Sequence, residues 1–265
     1  MFSSKIFRTA AVLLIFAPVA LLAQGKVHEC PDSDGYNDKP HVCEIREITV
    51  PAVASLDIDG KENGGVAVRG EDRSDIAISA TVTAWGNSES AAKETLQKVQ
   101  IQTEGGRIHV TGSNDSHYAV SYKISAPRNT SLKARANNGG ISLTDLNGTL
   151  RFETTNGGIE LVNLSGDAKG ETTNGGVDVT LDGARWNGAG LDARSVNGGV
   201  QVQVPVNYAA HLELSTVNGG MESNFPLTVQ GQIKNNISAD IGAAVQRFTS
   251  RRPTAALSCS PSNDA

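Results

Sequence analysis

Apolar and polar residues alternate along much of this chain with the two-residue period of β-strands. The alternation covers residues 45–58, 75–84 and 118–126. From residue 131 onward, a recurring Asn-Gly-Gly tripeptide divides the alternating pattern into short segments. The pattern therefore predicts an all-β protein that is built from many short strands.

The tripeptide belongs to a longer repeat, because RFETTNGGIEL at 151–161 returns as KGETTNGGVDV at 169–179. The turn asparagines at positions 138, 156, 174, 197 and 218 are separated by 18, 18, 23 and 21 residues. Two short strands in each repeat of this length predict the stacked coils of a β-solenoid, similar to a parallel β-helix. The predicted turn residues are Asn138, Gly139, Gly140, Asn156, Gly157, Gly158, Asn174, Gly175, Gly176, Asn197, Gly198, Gly199, Asn218, Gly219 and Gly220.

The conformation of these turns follows from their residue types. Glycine adopts positive φ without a Cβ clash and asparagine tolerates the left-handed region, so we expect a sharp left-handed bend between two strands. Stacked turns would bring the asparagine side chains to about 4.8 Å, where their amides can form a hydrogen-bonded ladder. Alternatively, each Asn-Gly closes an antiparallel hairpin and the chain forms a meander. The solenoid explains the repetition of the pattern better than independent hairpins do.

Alignment of the repeats on their asparagine separates core positions from surface positions. The third and fifth residues after the asparagine are aliphatic in nearly every repeat, as in Ile159 and Leu161, and the residue between them is polar. Successive strand side chains point to opposite faces, which predicts aliphatic stacks inside and a polar column outside. In that column, Glu160 and Asp178 have no cationic neighbour, so they are candidates for contact with a divalent cation. A solvated surface is the alternative interpretation.

One segment, 88–100, has the features of a helix. Ser88 is a suitable N-cap, glutamates occupy the early turns, and Leu96 and Val99 form a short apolar stripe. We expect this helix to lie across the solenoid end or a sheet face.

The N-terminus has the three parts of a secretory signal. Lys5 and Arg8 precede an apolar run at 10–22, and Ala23 is the small residue at the expected cut. The run contains Pro18 and is shorter than the roughly 20 apolar residues that span a bilayer. We therefore expect cleavage, a mature chain without a transmembrane span, and a periplasmic, cell-surface or extracellular location.

Export places the cysteines in an oxidising environment, which predicts a disulfide between Cys30 and Cys43. A competing interpretation is a metal site built from the His-x-Cys steps at His28 and His41. Cys259 has no partner in either scheme. The expected organisation is a signal peptide at 1–23, a disulfide-bracketed segment at 24–44, one solenoid domain at 45–245 and an irregular tail at 246–265.

Composition and motifs exclude several functions. The net charge of −5 argues against a nucleic-acid partner. The five histidines share no column, and neither a Gly-x-Ser-x-Gly elbow nor a phosphate-binding loop occurs. We expect no catalysis, no cofactor and no metal centre, although a carbohydrate-active β-helix enzyme is an alternative. Trp186 lies where the repeat lengthens to 23 residues and is a candidate ligand contact, with glycans as the expected class. The other aromatic candidates are Trp85, Tyr36 and Tyr208.

Together, the signal peptide, the cysteine pair followed by CEIRE, the helix before TEGGRIHV and the TTNGG repeats resemble the bacterial putative adhesin family. This is a family of unknown function, and the resemblance covers roughly residues 45–243. It implies an extracytoplasmic β-solenoid without established enzymatic activity, and it supplies no catalytic residues. The expected function is an adhesin-like or envelope interaction module of unknown ligand, with a periplasmic scaffolding role as the alternative.

The C-terminus departs from that family, whose members usually end with another TTNGG strand. With permitted codons, a shifted reading frame turns residues 243–259 into GGPALHLATTNGGVKL. Our hypothesis is a frameshift that replaced the last repeat, and the alternative is a coincidence of codon degeneracy. An uncapped last coil would expose a strand edge that favours self-association.

Overall fold

The computed structural model describes residues 26–30, 39–112, 117–206, 208–223, 236–241 and 257–260. These residues form two ten-stranded sheets and one α-helix, and the predicted β-solenoid class is confirmed. The elements are β1 Lys26–Glu29, β2 His41–Pro51, β3 Ser55–Asp59, β4 Val66–Glu71, β5 Asp75–Trp85, α1 Glu89–Lys98, β6 Gln100–Gln102, β7 Arg107–Thr111, β8 Tyr118–Pro127, β9 Ser131–Ala136, β10 Ile141–Thr144, β11 Asn147–Asn156, β12 Ile159–Val162, β13 Ser165–Asn174, β14 Val177–Thr180, β15 Gly190–Asn197, β16 Val200–Gln203, β17 Ala210–Asn218, β18 Met221–Ser223, β19 Asn236–Ile241 and β20 Leu257–Ser260.

Each coil contributes one strand to each sheet. The front sheet has the order β1-β2-β5-β8-β4-β10-β12-β14-β16-β18 and is parallel from β8 onward. The back sheet has the order β6-β7-β3-β9-β11-β13-β15-β20-β17-β19. At the N-terminal side, antiparallel β1, β2 and β5 extend the front sheet beyond the coils. Stacked parallel coils, and not a meander of hairpins, therefore form the body of the solenoid.

The coils do not stack in the order of the sequence. The coil of β3 and β4 pairs on one side with β7 and β8, and on the other side with β9 and β10. The chain thus makes one coil, leaves the stack to build β5 and α1, adds a coil on the outer side, and then crosses back to continue the stack. The later coils follow one another in sequence order.

The core consists of aliphatic columns that run through the stack. Ile141 is in register with Ile159, and Leu143 with Leu161, and all four side chains are almost completely buried. The same columns include residues that the repeat alignment had not assigned, Val66 and Val68 of β4. Each buried aliphatic side chain contributes about 1.5–3 kcal/mol relative to an exposed one, so these columns supply much of the stability.

The Asn-Gly-Gly corner differs from its prediction, because none of its glycines has φ in the left-handed region. At the opposite corner, Asp145 and Asn163 are left-handed, with φ of 56° and 51°. Lys61, two residues before Asn63 in the first coil, is also left-handed, with φ of 55°. Glycine is required at Gly157 for a different reason: a Cβ atom there would lie 2.2 Å from the carbonyl oxygen of Gly139 in the preceding coil. The first glycine of each tripeptide therefore permits close stacking of the corners.

A buried hydroxyl ladder explains the threonine or serine that lies two residues before each of the last four corner asparagines. The hydroxyl of Thr172 donates to the carbonyl oxygen of Gly157 at 2.8 Å, and that of Thr154 donates to Gly139 at 2.8 Å. Ser195 and Thr216 make the same bond one coil and two coils later. The hydroxyl satisfies a carbonyl group of the preceding corner, so this position connects neighbouring coils.

Replacing Thr172 with valine tests that role. We expect the free energy of unfolding to fall by about 1–3 kcal/mol, because the buried hydroxyl no longer donates to Gly157 while the side-chain volume is kept. The matched control is valine at the neighbouring Thr173, which is exposed and should change stability by less than about 0.5 kcal/mol. Urea unfolding of the two variants provides the measurement, and equal losses would contradict the hydroxyl ladder.

The predicted helix is present as α1, with Ser88 as its N-cap. The Ser88 hydroxyl accepts from the amide of Ala91 at 3.2 Å. The helix packs on β5 and β2, and Arg46 of β2 donates to the carbonyl oxygens of Leu96 and Val99 at its C-terminal end. A cation there also interacts favourably with the helix dipole. The helix thus belongs to the N-terminal cap of the solenoid.

The disulfide prediction is confirmed: Cys30 and Cys43 are bonded, with their Cα atoms 5.6 Å apart. This pairing overturns the alternative metal site, since bonded sulfurs are not available as thiolate ligands. The predicted signal peptide at 1–23 lies outside the described residues and stays a prediction. The tail contributes β20, which pairs antiparallel with β15 and β17. The frameshift hypothesis also stays a prediction.

Candidate functional site

The outer face of the front sheet carries the polar column that the repeats predict. Ser142, Glu160, Asp178, Gln201 and Glu222 occupy successive strands in register. Neighbouring strands are about 4.8 Å apart, so the column presents a regular line of polar groups. The last four of these side chains are exposed. We call this set the front column.

Glu160 and Asp178 face the same side on adjacent strands. The hydroxyl of Ser142 donates to Oε2 of Glu160 at 2.8 Å. Across the described ranges, no group of three or more His, Cys, Asp or Glu side chains is placed to hold a metal ion. The pair therefore offers two carboxylates without a third such ligand, and cation contact stays a prediction.

A shallow groove of about 520 Å³ covers the N-terminal half of the front column. Its lining includes Lys123 at one end and Asp178 at the other, with Ala67, Ser142 and Glu160 between them. The small side chains and the corner glycines leave the sheet surface open. This arrangement can accept hydrogen bonds from hydroxyl or amino groups of an extended ligand, through carboxylates held by the sheet.

The corner asparagines form a continuous amide ladder beside this groove. The side-chain nitrogen of Asn156 donates to the side-chain oxygen of Asn138 at 2.8 Å, and the same bond joins Asn174 to Asn156 and the two following asparagines. Asn138 continues the ladder to Asn63 at 3.3 Å. The sequence contains the same tripeptide at 63–65 as an earlier outlier, but Asn63 was not predicted as a ladder member because 75 residues separate it from Asn138. The signal was present in Val66 and Val68, which follow Asn63 at the core spacing of the repeats.

Trp186 is not a surface contact, and that prediction is corrected. Its side chain is 1% exposed, and Nε1 donates to the carbonyl oxygen of Gly166 at 3.1 Å. The longer coil thus places the indole in the core. Tyr208 is also buried, and Tyr36 lies outside the described residues. Trp85, at the cap end of β5, is half-buried and contributes to a surface cleft.

The outer face of the back sheet carries paired charges. A hydrogen bond from Arg151 at 2.7 Å lowers the pKa of the Asp167 carboxyl below its ordinary value. The corresponding bond from Lys169 to Asp192, also 2.7 Å, raises the pKa of that lysine. Exposed pairs of this kind contribute about 0–1 kcal/mol each. These ion pairs link adjacent coils, and each cation is neutralised by the carboxylate that it contacts.

The helical segments among the described residues are too short or too polar to cross a bilayer. Solved structures similar to the chain include a putative cell adhesion protein from Clostridium sporogenes, with 9% identity and a TM-score of 0.31, and a putative adhesin from Bacteroides fragilis, with 11% identity and a TM-score of 0.31. Each similarity covers 68% of this chain and 96% of the other. A putative adhesin from Parabacteroides merdae has 12% identity and a TM-score of 0.26, and the similarity covers 71% of this chain and 97% of that protein. No curated protein sequence matches.

A family model identifies the family to which the chain belongs. The model of Toastrack DUF4097 matches residues 74–251, which is more than half of the 265 residues. The match includes the cap strand β5, α1, the coil of β7 and β8, and all the coils from β9 to β18. The match thus covers the repeat series from β9 onward and part of the N-terminal cap, whereas β1 to β4 precede it. The chain belongs to the Toastrack family DUF4097.

Proposed function

We propose that this protein is a non-enzymatic, exported interaction module of the bacterial envelope that binds its ligand through the front face of the solenoid. The observation that carries the proposal is the register of the front column, which repeats exposed polar groups across successive coils. A surface of this kind suits an extended ligand with repeated hydroxyl or amide groups. The predicted signal segment and the observed disulfide support an extracytoplasmic location.

The contrast between the two sheet faces supports the choice of the front face. On the back sheet, Arg151 and Lys169 form ion pairs with acidic partners in neighbouring coils. On the front sheet, Glu160 and Asp178 stand in register without a salt bridge among the described residues. The back-sheet carboxylates Glu153 and Glu171 also lack a salt bridge within that part of the chain, but each has an arginine in register on a neighbouring strand. The register neighbours of Glu160 and Asp178 are uncharged or acidic. Carboxylates without an adjacent cation are available to accept charge-assisted hydrogen bonds from a ligand.

Cosedimentation of the full chain with isolated bacterial cell envelopes tests the proposal. We expect the double variant E160Q/D178N to bind at least about tenfold more weakly than the parent protein, because each substitution replaces a charge-assisted hydrogen bond with a neutral one that contributes roughly 1 kcal/mol less. Repeating the titration with and without calcium shows whether the same pair uses a divalent cation.

The matched control is E153Q/E171Q. Glu153 and Glu171 are also exposed carboxylates in register on adjacent coils, but they lie on the back sheet. This variant removes the same charge and should bind like the parent protein. Equal weakening by both variants, or the absence of any binding by the folded parent protein, would contradict the proposed front-face function.

A further inference from the structure

A second surface feature lies where the amide ladder meets the N-terminal cap. It is a cleft of about 430 Å³, lined by Lys39, Asn63, Gly64, Gly65, Trp85, Ala119, Ser121 and Asn138. Its volume falls within the range of about 300–1,000 Å³ that is typical of small-molecule sites. We call it the ladder cleft.

The cleft exists because the ladder stops at Asn63. In the outer coil, which is formed by β7 and β8, the backbone amide of Val120 donates to the carbonyl oxygen of Asn63. The backbone amide of Gly157, the residue after Asn156, donates in the same way to the carbonyl oxygen of Asn174. This correspondence places Ala119 at the asparagine position of the outer coil. A methyl group cannot continue the amide ladder, and its small size leaves the surface open in front of Asn63.

The ladder also has a direction. Every side-chain nitrogen donates toward the N-terminal coil, so Asn63 receives a hydrogen bond on its oxygen from Asn138. Within the part of the chain that the structure describes, the side-chain nitrogen of Asn63 has no acceptor. Hydrogen bonds in a chain polarise one another, so the amide at this end is a stronger donor than an isolated one. The end of the ladder therefore favours a ligand group that accepts hydrogen bonds.

Two further side chains define the chemistry of the ligand. Trp85 is positioned by the backbone bond from its amide to the carbonyl oxygen of His117 at 3.0 Å, and its half-buried indole provides an apolar wall. Lys39 is exposed and is the only charged residue in the described lining of the cleft. The hydroxyl of Ser121 accepts from the amide of Gly65 at 3.3 Å, and its own hydrogen can be donated.

We propose that the ladder cleft binds an acidic saccharide unit. A sugar ring would pack its C–H face on Trp85, while its carboxylate would interact with Lys39 and accept a hydrogen bond from Asn63. The aromatic wall fits a sugar ring better than a flexible acidic peptide, and the lone cation fits one carboxylate. This proposal rests on the proposed envelope-binding function, because it gives the same module a second site with a ligand class of its own.

Titration calorimetry of the full chain with a mannuronate trisaccharide tests the proposal. The comparison ligand is the mannose trisaccharide of the same linkage, which carries hydroxymethyl groups in place of the carboxylates. We expect the acidic trisaccharide to bind about tenfold more tightly. The variant K39Q should remove that preference, and W85A should weaken binding of both trisaccharides at least about tenfold. A control at the exposed back-sheet Lys133, K133Q, should bind like the parent protein.

The outcomes distinguish this site from the front face. Equal affinity for the two trisaccharides, unchanged binding by K39Q, or tighter binding of triglutamate than of the acidic saccharide would overturn the proposal. W85F keeps an aromatic wall and should retain most of the affinity, so loss through misfolding is separable from loss of the indole. Envelope binding that persists without any saccharide binding would refute the ladder cleft and leave the front-face function standing.

Discussion

Alanine at Gly157 is expected to lower the free energy of unfolding by about 3 kcal/mol, whereas alanine at the adjacent Gly158 is expected to be neutral or slightly stabilising. A Cβ atom at Gly157 would lie 2.2 Å from the carbonyl oxygen of Gly139 and 2.5 Å from its carbonyl carbon. Both atoms belong to backbone that is itself stacked on the next coil, so neither can move away cheaply. At Gly158, the nearest atom would be 3.7 Å away, which is an ordinary contact.

The pair G157A and G158A separates two explanations of the glycines. If glycine served mainly to permit a left-handed bend, alanine would strain the backbone at both positions, and both variants would lose stability. If it serves to permit close stacking, only the first position should be sensitive. Urea unfolding, monitored by circular dichroism, measures the free energy of unfolding of each variant. A large loss in G158A, or a small one in G157A, would contradict the stacking explanation.

Alanine at Trp186 is expected to cost about 3–5 kcal/mol, because it removes the largest fully buried side chain of the described residues. It also removes the hydrogen bond from Nε1 to the carbonyl oxygen of Gly166. The coil that contains Trp186 spans 23 residues, and its extra length is held against the core by this indole together with backbone hydrogen bonds to the carbonyl oxygens of Ala184 and Asn187. We therefore expect the loop at 182–189 to become susceptible to limited proteolysis in W186A.

The variant W186F is the control for this prediction. Phenylalanine keeps most of the buried apolar surface but cannot donate to Gly166, so we expect a loss of about 1–3 kcal/mol. Thermal unfolding and the rate of proteolysis within 182–189 provide the two readouts. Near-parental stability of W186A would show that the indole does not support the core, and would reopen its interpretation as a surface contact.

Much of the fold could be predicted because the sequence repeats its own pattern. The alternation around Ile159 and Leu161 assigns one face to the core wherever it occurs, and Ser88 followed by a short apolar stripe marks the helix. These signals are local, since they depend on strand alternation and on helix capping. Repetition adds the parallel stacking, because equivalent residues must lie in register.

The remaining features depend on contacts between distant segments. No local signal places the coil at 107–127 outside the coil at 55–71, because that order depends on pairing between strands that are distant in the sequence. The role of Gly157 is also non-local, since the atoms that exclude a Cβ belong to another coil. Trp186 was assigned to the surface because its segment interrupts the repeat, although the interruption is what carries the indole into the core.

The two candidate surfaces also differ in how far local sequence patterns predict them. The alignment predicts the front column, and the structure places its members in register. The ladder cleft was not predictable, because it requires Asn63, Trp85 and Lys39 to meet from three separate segments. Its chemistry depends on Ala119 occupying the position of an asparagine, and that equivalence is visible only in the backbone pairing.

The central claim is that the front face of the solenoid is the surface that binds the envelope, and carboxyl footprinting tests it most directly. The full chain is labelled with a carbodiimide and an amine, with and without isolated bacterial envelopes, and each carboxylate is then quantified by mass spectrometry. Binding through the front face should reduce labelling of Glu160 and Asp178 and leave labelling of Glu153 and Glu171 unchanged. Protection of the back-sheet pair, or equal labelling of all four carboxylates with and without envelopes, would contradict it.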